Sequence, residues 1–230
     1  MPESLALSWS GGKDSTLALD RALRGGLPVH HLFNLYDADS ERVAFHGVRA
    51  QLIRRQAERL GLGILQLPVP RGEFERVFLD GLDRLRALGV TGIAFGNIHL
   101  ADVRAWYEER TRARGFEHVE PLWGEPPHAL VAEFLARGYR ALLVSVDLAR
   151  GRREWLGREL TPAFAAEIAT VESVDVAGEN GEYHTYVFDG PLFGSRIPLR
   201  SGDVFEDRGH CLLDVREREE RKEEPKEKRT

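Results

Sequence analysis

The sequence predicts an α/β protein, a parallel-sheet domain followed by a smaller α+β domain. Three observations carry that expectation. Over about the first 120 residues, apolar runs of strand length alternate with apolar stripes at helical spacing. A glycine pair, Gly11 and Gly12, follows the first run, and beyond Pro121 the alternation gives way to a β-rich pattern.

Each element follows from its residues. Leu5 to Trp9 is a short apolar run suited to a buried strand, and Asp14 to Arg24 is a helix with Ala18, Leu19, Ala22 and Leu23 on one side, stopped by Gly25 and Gly26. Val29 to Tyr36 is the next strand, and Arg49 to Leu60 the next helix, with Leu52, Ile53, Ala57 and Leu60 at helical spacing. Ile64 to Val69 repeats the strand. Phe74, Val77, Phe78, Gly81, Leu82, Leu85 and Leu88 draw the inward stripe of a third helix, and Gly92 to Phe95 is a short strand. Such alternation implies a parallel sheet covered on both faces. Beyond Pro121, EPPHALVAEFLARGY is a helix opened by prolines, ALLVSV a strand, and residues 151–168 a less regular, partly helical stretch. From Val171 onward, VESVDVAG and YHTYVFDG are expected as two strands around the turn GENGE. The expected division is 1–122, 123–215 and a tail, 216–230, whose seven cations and six anions leave it no apolar face to bury, so it is expected to be disordered or a solvated helix end.

Composition narrows the function. The chain has 230 residues, 42% hydrophobic and 30% charged, with net charge -5. No global positive field exists to hold a nucleic-acid backbone or an anionic membrane, so neither partner is expected. A single cysteine, Cys211, excludes an internal disulfide framework, and the absence of a secretory leader pattern and of long apolar stretches makes a cytoplasmic protein the expectation. One charge stands out: residues 1–215 hold 24 arginines and a single lysine, Lys13.

Lys13 lies in Ser10-Gly11-Gly12-Lys13-Asp14-Ser15, at the turn between the first strand and the first helix. In a parallel sheet the ligand crevice lies at the carboxyl ends of the strands. Glycines let backbone approach a ligand there, and a helix N-terminus adds free N–H groups and partial positive charge. A compact ammonium slides between phosphate oxygens where a planar guanidinium would crowd a tight turn. The spacing is not that of the kinase and GTPase loop, since Leu7 stands where that motif needs its first glycine and Asp14 follows the lysine. The hexapeptide instead resembles the PP-loop, the pyrophosphate signature of N-type ATP pyrophosphatases. That resemblance implies a Rossmann-like, adenine nucleotide alpha hydrolase-like first domain that binds ATP.

Further segments follow in order: Gly96-Asn97-Ile98, Asp102-Val103-Arg104, Pro121-Leu122-Trp123, and GENGEYHT from Gly178 to Thr185. Together with the first turn, they make the chain similar to the diphthine–ammonia ligase family over residues 4 to about 195, and GENGEYHT is the most family-specific part. The resemblance implies an ATP-dependent carboxylate–amine ligase. A carboxylate of a small-molecule or protein acceptor is adenylated, ammonia forms the amide, and AMP and pyrophosphate leave. Magnesium is implied, with Asp14 as its outer ligand. The chain departs from the family at Asn97, where an aspartate is usual. It looks closer to bacterial relatives, and bacteria make no diphthamide, so the chemistry transfers further than the acceptor does. Two alternatives stand beside this reading: adenylation of another small molecule or a tRNA base, and an ATP-sensing module without turnover.

The expected site follows. Ser10, Gly11, Gly12, Lys13, Asp14, Ser15, Asn34, His46 and Gly96 are candidates for the nucleotide; Lys13, Asp14, Glu182 and His184 for catalysis; and Arg49, Asp102, Arg104, Glu179, Asn180 and Thr185 for the substrate. Strand alternation sets Glu182 and His184 on one face, where a carboxylate and an imidazole could move a proton. The plainer alternatives are an ordinary polar turn for GENGE, and a helix-capping His46 with a solvated Arg49. Apolar faces on the C-terminal strands allow a homodimer contact or burial between the domains.

Overall fold

The computed structural model describes residues 2–218. The first sheet has five parallel strands in the order β3-β2-β1-β4-β5: β1 (Leu5–Ser8), β2 (Val29–Asp37), β3 (Gly63–Val69), β4 (Gly92–Ala94) and β5 (Glu117–Val119). Four helices connect and follow these strands: α1 (Lys13–Arg24), α2 (Ala50–Leu60), α3 (Phe74–Ala87) and α4 (Ala101–Ala113). Leu5, Ala6 and Leu7 are fully buried because β1 is central and covered on both faces. Strand order runs outward from β1 to β3, then returns to the other side of β1 for β4. That reversal opens a crevice between the carboxyl ends of β1 and β4.

The second sheet is antiparallel, in the order β7-β6-β9-β8: β6 (Arg140–Asp147), β7 (Tyr183–Asp189), β8 (Leu199–Asp207) and β9 (His210–Glu217). Helix α5 (Pro127–Ala136) precedes it, and α6 (Pro162–Ala169) lies between β6 and β7. The two sheets share an apolar cluster that runs from Leu5, Leu17 and Leu52 to Leu143, Tyr186 and Val187. Polar contacts reinforce the junction: the Tyr139 hydroxyl donates to Asp20 at 2.9 Å and the Tyr186 hydroxyl to the Leu52 carbonyl at 3.1 Å.

Two expectations need correction. VESVDVAG forms no strand, because its backbone groups are taken locally. The Asp175 N–H donates to Glu182 Oε1 at 2.9 Å, Gly178 N–H to the Asp175 carbonyl at 2.8 Å, and the Val176 carbonyl accepts the Tyr183 hydroxyl at 2.6 Å. The charged tail begins later than expected, because β9 continues through Arg216 and Glu217, which pair with Asp214 and Arg55. Residues 219–230 of that tail lie outside the described residues. Among the described residues, no helix is long and apolar enough to cross a membrane.

Candidate active site

Strand β7 fixes the glycine turn from across the sheet boundary. Val187 N–H donates to the Gly11 carbonyl at 2.9 Å, and Gln56 Nε2 donates to the same carbonyl at 3.0 Å. Gly11 has φ +82°, and a β-carbon there would stand 2.6 Å from both Gln56 and Ile53, so only glycine suits the position. The Thr185 hydroxyl accepts from the Lys13 N–H at 3.0 Å and thus caps α1 from the second sheet. The N–H groups of Asp14 and Ser15 take no acceptor among the described residues and remain available at the helix end. Gly96, after β4, completes the cradle: a β-carbon there would lie 3.0 Å from the Asp14 carbonyl carbon and the Ser15 nitrogen.

These parts enclose a pocket of about 210 Å³ lined by Ser10, Lys13, Asp14, Ser15, His46, Gly96, Asn97, Glu179, Tyr183, His184 and Thr185, with Ser8, Phe95, Tyr107 and Gly178. Lys13 is only 4% exposed; its ammonium donates to Asp14 Oδ2 at 2.8 Å and to the Ala177 carbonyl, and sits 5.2 Å from the Tyr183 ring centre. Burial alone would lower its pKa. The charge of Asp14, with Tyr183, the Asp14 hydrogen bond and Glu179, outweighs that and holds Lys13 firmly protonated. Glu179 behaves oppositely: burial, together with the neighbouring Asp14 charge, pushes its carboxyl up to about 7 against the Ile98 N–H bond at 2.9 Å. His46 is lowered to about 4, by burial first and by Lys13, against the bond it makes to the Thr185 carbonyl. His184 is also held well below the ordinary histidine value, by burial first and then by His46, Lys13 and His210; its ring lies 4.4 Å from that of His46. The pocket therefore presents one fixed cation, two neutral imidazoles and a carboxyl poised near neutrality.

Eight of the expected residues do not line this pocket: Gly11 and Gly12 shape the turn behind it, and Asn34, Arg49, Asp102, Arg104, Asn180 and Glu182 lie elsewhere. Asn34 is buried with its amide spent on the Trp9 carbonyl and Gln66, both at 2.8 Å. Arg49 is bound to Asp214 at 2.8 and 2.9 Å. Asp102 is exposed on α4, and Arg104 stacks on Trp123 at 4.4 Å beside Glu108 and Glu120. Glu182 is 1% exposed and turned into its own loop, where it accepts from Asp175 and from Asn180 Nδ2, the latter at 3.2 Å. The alternation that paired Glu182 with His184 starts one residue too early, because β7 begins at Tyr183.

Sequence reasoning also missed residues. Tyr183 lies within GENGEYHT but is not among the expected site residues, and it lines the pocket. Tyr107 and Glu120 carry no local signal. Glu120 is buried against His118 Nε2 at 2.8 Å and accepts from Asn97 Nδ2 at 2.9 Å. The amide at position 97 thus satisfies a buried carboxylate, and an aspartate there would set two acids together. A larger cavity, about 840 Å³, adjoins beyond Phe45 and His210, at the ends of β2 and β3. Among the described residues, no group of three or more His, Cys, Asp or Glu could hold a metal ion. Of the two carboxyls that line the pocket, Asp14 is the one on the glycine turn, and a single carboxylate there would suit a magnesium held mainly by phosphate oxygens.

Comparison with known proteins covers both halves. The model of the diphthamide synthase N-terminal domain matches residues 3–118, and that of the C-terminal domain matches residues 126–220. The chain is similar to the diphthine–ammonia ligase of Danio rerio, 27% identical over 213 residues, 82% of this chain and 83% of that protein. The diphthine–ammonia ligase of Homo sapiens is 24% identical over 219 residues, 85% and 82% of the two chains. That of Schizosaccharomyces pombe is 25% identical over 218 residues, but the match spans only 36% of the longer yeast protein. Among solved structures, the U34-tRNA thiolase NcsA of Methanococcus maripaludis aligns with a TM-score of 0.38 at 16% identity, over 58% of this chain and 56% of that one, too distant to carry an argument. Matched in order along both of its halves, this chain belongs to the diphthamide synthase family.

Proposed function

We propose that the protein is an ATP-dependent carboxylate–amine ligase of the diphthine–ammonia ligase type, which adenylates an acceptor carboxylate and amidates it with ammonia. One observation carries the reading: a buried, firmly protonated lysine and two free helix N–H groups converge on one small pocket whose other wall comes from the second sheet. The outer phosphates lie against Ser10 to Ser15, where Lys13 and the N–H groups of Asp14 and Ser15 stabilise the charge that builds on departing pyrophosphate. A pocket of about 210 Å³ has room for phosphates but not for a nucleoside as well, so the nucleoside extends toward the larger cavity past Tyr36 and Asp37. Asp14 would help hold a magnesium ion on the phosphates, where it would supply neutralisation of their charge. Glu179, from the turn before β7, and His184, on β7, face the reacting group, and Glu179 is the residue whose protonation suits proton transfer from attacking ammonia. The acceptor is a carboxylate on a small molecule or a protein, diphthine being the first to test.

Incubation with MgATP, ammonium and candidate acceptors tests this. Acceptor-dependent AMP and pyrophosphate support the ligase. ADP would contradict it, and tight MgATP binding without turnover on any acceptor would make the protein a nucleotide sensor.

A further inference from the structure

Residues 42–49 form a small hairpin between the two cavities. Arg42 bridges to Arg49, Val43 N–H donates to the Val48 carbonyl at 2.8 Å, and the tip turns through left-handed Phe45 and Gly47, φ +63° and +66°. The tip sends Phe45, 60% exposed, to the large cavity and His46 to the small one. His46 lies against the glycine turn, since a β-carbon on Gly12 would stand 3.0 Å from its Cε1. His46 Nδ1 meets the Thr185 carbonyl of β7 at 3.3 Å, and one buried carboxylate ties the base of the hairpin to the second sheet. Asp214 on β9, 5% exposed, accepts from Arg42 at 2.6 Å, Arg49 at 2.8 and 2.9 Å and Arg216 at 2.8 Å. Arg42 then reaches on to the Gly47 carbonyl at 2.6 Å.

We infer that Asp214 is a positioning residue for nucleotide binding: through Arg42 it fixes the hairpin tip so that His46 stays seated on the phosphate turn. This rests on the proposed function, because it assumes that the turn takes a triphosphate. The interaction is charge-assisted and multidentate, which is the geometry that orders a loop rather than merely stabilising a surface.

The test is MgATP affinity, measured by calorimetry, in Asp214→Asn and in Arg42→Gln, which frees the tip while leaving Asp214 paired with Arg49 and Arg216. Glu217→Gln is the control, since the Arg55–Glu217 pair at 2.8 Å also ties α2 to β9 but holds no part of the hairpin. Each is then repeated with His46→Ala. The expected result is about a tenfold loss of affinity in the Asp214 and Arg42 variants, little change in the control, and loss of the effect when His46 is already absent. If Asp214→Asn does not fold, Arg42→Gln decides. Equal losses in the control, full additivity with His46→Ala, or unchanged affinity would overturn the inference. A wild-type protein that binds no MgATP would instead overturn the proposed function on which it rests.

Discussion

Two glycine-bearing turns face each other across the candidate site, Ser10 to Ser15 and Gly178 to Thr185, and they use their polar residues differently. In the first, nearly every side chain lines the pocket, and the glycines exist to let other groups close in on the backbone. In the second, two glutamates three residues apart divide the labour. Glu179 lines the pocket, whereas Glu182 turns away and supplies the acceptor that the Asp175 N–H requires. A repeated residue type within one motif is therefore no guide to a repeated role, because a loop that presents a carboxyl to a pocket must first satisfy its own backbone.

The comparison can be broken most sharply at Lys13. Lys13→Ala is expected to lower AMP formation by about a hundredfold or more, the scale for losing a preorganised charge at a developing anion, as read by steady-state rates. The glutamate pair comes next. Glu179→Gln should impair turnover with little loss of stability. In the wild type, MgATP affinity should fall as pH rises through about 7, where Glu179 ionises beside the phosphates, and this fall should be absent from the variant. Glu182→Ala should do the converse, costing about 1–3 kcal/mol in chemical denaturation because a buried N–H loses its acceptor. Equal kinetic and stability profiles for the two glutamate variants would erase the distinction.

Smaller effects sharpen the picture. Asn97→Asp sets a second carboxylate beside buried Glu120, and should cost about 1–2 kcal/mol near neutrality, recovered in part in acid as the pair takes up a proton. A pH dependence of stability concerns His46. Its folded pKa, about 4, lies below the ordinary histidine value of 6.5, so the unfolded chain binds more protons between those limits. Stability should rise with pH across that window and level off above it, with a shallower slope in His46→Gln, as measured by thermal unfolding at a series of pH values.

Much of the first sheet was legible because its signals are local. Helix α2 shows its apolar spacing and its Gly61 stop within a dozen residues, and β1 is a continuous apolar run followed by glycines. The glycine turn was legible for the same reason. What escaped depends on contacts distant in sequence. Strand β5 has three residues and is defined by pairing with β4, and β9 by pairing with β6 some 65 residues earlier. VESVDVAG has strand-like residues whose backbone is claimed by Glu182 and Tyr183. Arg49 looks free for a substrate in the sequence because its partner Asp214 lies 165 residues away. Asn34 sits at the right strand end, but Gln66 from the next strand consumes its amide.

The central claim, that the turn from Ser10 to Ser15 grips the outer phosphates, is tested most directly by a crystal structure with magnesium and a non-hydrolysable ATP analogue. The expected result has the β and γ phosphates on the N–H groups of Asp14 and Ser15, with the Lys13 ammonium moved from the Ala177 carbonyl onto their oxygens. An analogue bound with its phosphates away from this turn, or with Lys13 still on Ala177, would contradict the account.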